Sequence, residues 1–138
     1  MIADRPLPVP DDDSAQFWEA AARHQLVIAR CGRCEQFSHP PDSVCPHCGS
    51  TEPVFTFAPV SGRGVIRSWT VARQSFLPGF DALLPFVLVD VELVEQSELR
   101  MIGRLLDSAP EGLRIGSAVD VVFEEIADDL CVPAFVLC

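Results

Sequence analysis

Four of the chain's six cysteines fall in one stretch, "RCGRCEQFSHPPDSVCPHCGS" over residues 30–50. They are Cys31, Cys34, Cys45 and Cys48, two Cys-x-x-Cys pairs separated by ten residues. Each pair fits one tight turn, and two such turns present four thiolates to a tetrahedral ion. Pro46 presets the second turn, and Gly49 permits the positive φ that a metal knuckle often needs. The spacer is short for such a site, but a hairpin spans it. The N-terminal "MIADRPLPVPDDD" lacks the basic-then-apolar order of a secretion signal. The expectation is therefore a soluble, cytoplasmic protein whose thiols stay reduced, so metal ligation is preferred over two disulfides.

The expected ion is Zn²⁺ in a structural role, because a catalytic zinc keeps one position open and a four-cysteine site is closed. A ribbon this short cannot build a core of its own. Apparent zinc-binding energies of about 10–16 kcal/mol in finger peptides show that the ion substitutes for one. Iron in the same thiolates would instead make a red, rubredoxin-like electron carrier. His39 and His47 are read as exposed bystanders. Cys131 and Cys138, far along the chain, are read as small apolar strand residues.

The flanks organise around this cluster. Pro6, Pro8 and Pro10 spell an extended arm. "DDDSAQFWEAAARHQ" then favours one helix, with Asp13 or Ser14 as cap and Phe17 and Trp18 on one side. That aromatic side has to dock, either on its own chain or on a partner protein. "LVIARC" (26–31) reads as a strand leading into the first knuckle. Five more strands are expected at 64–73, 86–94, 97–107, 119–127 and 131–138, with Val87, Val89, Val91 and Leu93 alternating onto one face. Gly103 is expected to mark a bulge or bend. "QSFLPGFDALLP" (74–85) is a long apolar loop. Five short strands suit a small closed barrel, and the Greek-key version is the OB-fold. The fold class is thus mainly β: an N-terminal arm and helix (1–25), a rubredoxin-like zinc ribbon (26–52) and a five-stranded OB-fold barrel (53–138).

The residue inventory narrows function. All ten basic residues are arginine, the formal net charge is −10, and no lysine or tyrosine occurs. Ribbons and OB-folds both bind nucleic acid, but that job needs a basic footprint absent here. Single-stranded nucleic-acid binding is the alternative, not the leading, reading. No histidine follows His47, so the barrel has no imidazole for a Ser-His-Asp or Cys-His arrangement. Asp120, Glu124, Glu125, Asp128 and Asp129 read as strand-face and turn solvation. Arg63, Arg67 and Arg73 are candidates to face an anionic ligand.

In order along the chain, "FWEAA", "LVIARCGRC", "HPPDSVCPHCGS", "SGRGVIRSWTV", "PFVLVDVEL", "RLLD", "LRIGSAVDVVF" and "VPAF" resemble one family over residues 14–138. It is the zinc-ribbon and OB-fold family that accompanies thiolase-like enzymes, long catalogued as a domain of unknown function. Glu35 stands where members often have glycine, and Asp42 where a basic residue often follows the double proline. The resemblance implies a non-catalytic subunit of a thiolase-like enzyme or thiolase-type aldolase complex. Such a subunit helps to bind or channel acyl-CoA, in steroid or other lipid side-chain degradation, while the partner supplies catalysis. It implies a hetero-oligomer, with neither nucleic acid nor membrane as partner. Phe17, Trp18, Phe76 and Phe80 then become candidate ligand or partner contacts, beside the three arginines.

Overall fold

The computed structural model describes residues 5–107 and 109–138. The first four residues of the expected arm lie outside the described residues.

Among the described residues one α-helix, α1 (Ala15–Ala22), is followed by eight strands. They are β1 (Val27–Cys31), β2 (Phe37–Ser38), β3 (Phe55–Pro59), β4 (Arg63–Ala72), β5 (Phe86–Leu93), β6 (Arg100–Leu105), β7 (Ala118–Ala127) and β8 (Leu130–Leu137). Short 3₁₀ turns sit at Asp81–Leu83 and Pro110–Gly112. Ser14 is the N-cap residue, one of the two expected, but its side chain makes no capping bond. Its hydroxyl donates instead to the Asp11 carboxylate, which also accepts the Asp13 and Ser14 N–H groups and orders the turn leading into the helix. The Ser14 hydroxyl, then its N–H, hold the Asp11 carboxyl below its ordinary pKa. The helix docks on its own chain, against β8, β1 and β7, burying Ala20 and Ala21.

The ribbon sheet runs β2-β1-β3, and the barrel closes in the order β4-β5-β6-β8-β7. All neighbours pair antiparallel except β6 and β8, which meet in parallel at Leu105 and Phe135. This is the OB-fold topology, and the five barrel strands are those expected. The sixth strand beyond residue 53, β3, belongs to the ribbon sheet and pairs with β1 along its whole length.

Strict alternation on β5 sends Val87, Val89, Val91 and Leu93 inward. They meet Ile66, Met101, Leu105, Val119 and Phe135 in one core. Gly103 is neither bulge nor bend: the β5–β6 register runs unbroken through its pairing with Val89. Its reason is space, since a Cβ there would stand 2.9 Å from the Phe135 ring. Irregularities lie instead on β4, where the register slips between Ile66 and Ser68, and on β7, between Glu125 and Ala127. On β4 Arg67 is the extra residue, and a bulge of this kind re-aims a side chain.

Candidate metal centre and contact surfaces

The two knuckles are built alike. In the first, the Glu35 N–H donates to the Cys31 carbonyl at 2.8 Å; in the second, the Gly49 N–H donates to the Cys45 carbonyl at 2.9 Å. Both turns need a left-handed residue after the second cysteine, and Glu35 (φ 64°) and Gly49 (φ 74°) fill that place. At Glu35 an L side chain is held in a region that glycine occupies without strain.

The four Sγ atoms converge. They lie within 4.8 Å of one another. Cys31 and Cys48 approach to 3.9 Å, and Cys34 and Cys45 to 3.7 Å. Four sulfurs at a zinc–sulfur distance of about 2.3 Å stand about 3.8 Å apart on a tetrahedron. The residues present therefore fit a tetrathiolate zinc ion, with no position left for water or substrate. The thiols are differentiated without it. Backbone N–H groups of Cys34 and Arg33 stabilise the Cys31 thiolate and lower its pKa to about 7. Cys34 accepts the Gln36 N–H, which pulls its pKa down, but burial and the three neighbouring thiols win and push it up to about 11. The Cys48 N–H, then that of His47, lower Cys45.

Neither histidine joins the four-sulfur cluster. His39 departs from the exposed reading: it is half-buried and stacks on Phe17 at 5.5 Å, and burial lowers its pKa. His47 is exposed, but its Nε2 lies 3.0 Å from the Phe37 carbonyl oxygen. The same backbone unit is gripped from the barrel. Gln96, in the β5–β6 turn, accepts the Phe37 N–H at 2.8 Å and donates to the Phe37 carbonyl at 2.9 Å. The Gln96 amide thus mimics a strand residue beside β2 and ties the ribbon to the barrel. Nothing in the sequence marks it, because the bond spans 59 positions.

The other cysteines divide. Cys131 is buried, and burial, then Glu125 and Asp129, raise its pKa. Cys138 is exposed, contrary to the apolar reading, with its Sγ 3.3 Å from Asp120. Glu124 is not simple solvation either. It pairs with Arg104 and, at 3.5 Å, with Arg5 of the arm.

The remaining candidates are scattered. Phe17 and Trp18 pack edge to face at 5.1 Å, and Phe17 also touches the core. Arg67 is engaged by Glu92 at 3.1 Å and Glu98 at 3.7 Å. The Glu98 N–H, then Arg67, hold Glu92 below its ordinary pKa. Arg63 and Arg73 are exposed, one entering β4 and one just beyond its end. Ten residues of strand separate them, roughly 30 Å. The structure does not gather the three arginines on one ligand-sized anion. Phe80 lies 5.9 Å from Phe86, with the Arg5 guanidinium over its ring at 5.7 Å. Phe76, in contrast, is 90% exposed at the tip of the 74–85 loop, beside exposed Leu77.

A closed four-thiol ribbon clamped to an OB barrel defines a zinc-ribbon and OB-fold protein. Two domain families match in that order: "ChsH2, rubredoxin-like zinc ribbon domain" over residues 18–54 and "ChsH2, C-terminal OB-fold domain" over residues 58–124. A DUF35 domain-containing scaffold protein of Methanocaldococcus jannaschii is 32% identical over 78% of this chain and 73% of its own. A solved chain of an Ltp2-ChsH2(DUF35) aldolase superposes with a TM-score of 0.79 at 35% identity, covering 94% of this chain and 98% of that one. The chain belongs to the DUF35 family. It is also 36% identical over 95% of its length to a probable enoyl-CoA hydratase alpha subunit of Thermomonospora curvata. To the 3-oxo-4,17-pregnadiene-20-carboxyl-CoA hydratase alpha subunit of Mycobacterium tuberculosis it is 31% identical over 91%. The chain spans only 39% and 42% of the length of those two subunits.

Proposed function

We propose that the chain is a non-catalytic accessory subunit of a thiolase-like or thiolase-type aldolase complex that acts on acyl-CoA. The observation that carries this reading is the match over nearly the whole of a chain from an aldolase complex. The residue inventory supports it. The metal site is closed to substrate, and the barrel has no imidazole to serve as base. The names of the hydratase relatives point to CoA thioesters, one of them with a steroid-derived acyl group. Steroid or related lipid side-chain degradation is the setting we infer, in the cytoplasm, where the four thiols stay reduced. Among the described residues no helix is long and apolar enough to cross a membrane.

In this reading the ribbon braces the barrel, with which its strand β1 shares one core through Ile28, and the barrel faces the enzyme. Phe76 and Leu77 form an apolar tip fit for insertion into a partner surface, since an isolated soluble chain gains nothing from a phenylalanine held in water. Exposed Arg63 and Arg73 are the cations available to CoA phosphates, Arg67 being held by its own carboxylates. Phe17 and Trp18 shape the seat of α1 and reach a partner only by their exposed edges. The test is co-expression with a candidate thiolase-like partner protein. Co-elution of the two as a stable hetero-oligomer is expected. Failure to associate, with the enzyme soluble and fully active alone, refutes the proposal.

A further inference from the structure

Strand β3 is the outer strand of the ribbon sheet. In an antiparallel ladder, alternate residues turn both N–H and C=O toward the neighbour. Here the Gly32 N–H donates to the Val54 carbonyl and the Val60 N–H donates to the Leu26 carbonyl. With the β1–β3 register this sends residues 54, 56, 58 and 60 toward β1. Phe55 and Phe57 therefore turn their N–H and C=O groups to the open edge. Among the described residues, no protein group bonds them there.

The same two residues line a cleft of about 610 Å³ with Asp12 and Asp13 of the helix entry and Asp42 and Glu52 of the ribbon. A second cleft of about 260 Å³, between α1 and β3, continues it past Phe57. All four carboxylates are exposed, and among the described residues no salt bridge neutralises them. An open strand edge, an aromatic wall and a row of free carboxylates lie together.

We propose that this edge takes an extended, arginine- or lysine-bearing segment of a partner protein as an added strand. The open N–H and C=O groups supply main-chain pairing, and the phenylalanines accept alternate side chains. The carboxylates select positive charge at the other positions and speed encounter. Charge disfavours a second copy of this chain as occupant: at −10 it would set carboxylates against carboxylates. Five residues and Pro59 keep the edge too short for runaway self-pairing. This inference stands apart from the acyl-CoA reading, since it concerns the ribbon edge and not the barrel.

The probe is an acetylated pentapeptide of alternating valine and arginine, added to the full, zinc-loaded, ¹⁵N-labelled chain. Saturable binding should slow amide exchange at Phe55 and Phe57, and rising salt should weaken it. N-methylating the peptide backbone removes its donors and should weaken binding about tenfold or more. Replacing its arginines with glutamates should abolish binding. The triple variant Asp12→Asn, Asp13→Asn, Glu52→Gln should bind several-fold more weakly, without loss of fold, because among the described residues none of these three carboxylates makes a hydrogen bond. Unchanged exchange at Phe55 and Phe57, or equal binding of the N-methylated or glutamate peptide, overturns the proposal.

Discussion

Gln96→Ala removes the clamp between ribbon and barrel. The wild-type amide makes two bonds to the Phe37 backbone, at 2.8 and 2.9 Å. A typical intramolecular hydrogen bond contributes about 0.5–1.5 kcal/mol net, and an orphaned buried donor costs more. After the substitution the Phe37 carbonyl keeps His47, but among the described residues the Phe37 N–H has no other partner. Phe37 is half-buried, so water replaces only part of the loss. The expected destabilisation is about 1–2 kcal/mol. By itself that barely moves a barrel held by Phe135 and the β5 valines, so the sensitive readout is local. Amide exchange at Phe37 should accelerate about tenfold, at about 1.4 kcal/mol per factor of ten. The urea midpoint of the zinc-loaded chain should fall modestly. His47→Ala alone should have a smaller effect, because Gln96 still serves the carbonyl. An unchanged Phe37 exchange rate in Gln96→Ala would show that the turn amide does not hold the ribbon, and the clamp would be wrong.

Gly103→Ala drives a methyl into the Phe135 ring and should lower stability by about 1–3 kcal/mol, with Phe135→Leu on the same background restoring part of it in thermal melts. Gly49→Ala meets no atom within 4 Å, so its effect is purely the left-handed backbone. It should weaken zinc by about 1 kcal/mol in chelator competition, while Glu35→Gly should not weaken it at all. Zinc affinity should rise with pH, because protons compete for the thiolates. Below about 7 the Cys31 thiolate protonates as well, and near pH 8 loading should release the Cys34 proton, held on by a pKa of about 11. Calorimetry in buffers of different ionisation enthalpy counts the protons released on loading.

What the sequence revealed divides along physical lines. Local patterns were legible: two Cys-x-x-Cys turns, valines alternating on β5, and an Ala-rich amphipathic helix each fix structure within a few residues. β3 was missed although "FTF" carries period-two alternation, because the proline residues around it read as an exit loop. Register and long-range pairing were not legible. That Arg67 is a bulge residue tied to Glu92, that Gly103 makes room for Phe135, and that Gln96 grips Phe37 all depend on which strands lie side by side. Ser14 stands at the cap as expected, but its hydroxyl is drawn to the Asp11 carboxylate, which gathers two N–H groups and that hydroxyl at once. His39 left the solvent because Phe17, far away in sequence, offered it a face.

The account rests on borrowed chemistry: the ribbon and barrel give shape, and the enzyme supplies the reacting groups. Turnover of an acyl-CoA thioester, measured for the zinc-loaded chain alone, the thiolase-like partner alone and the two together, tests it most directly. The account predicts no turnover by the chain alone and more by the pair than by the partner alone. Conversion by the isolated chain at the rate of the pair would contradict it.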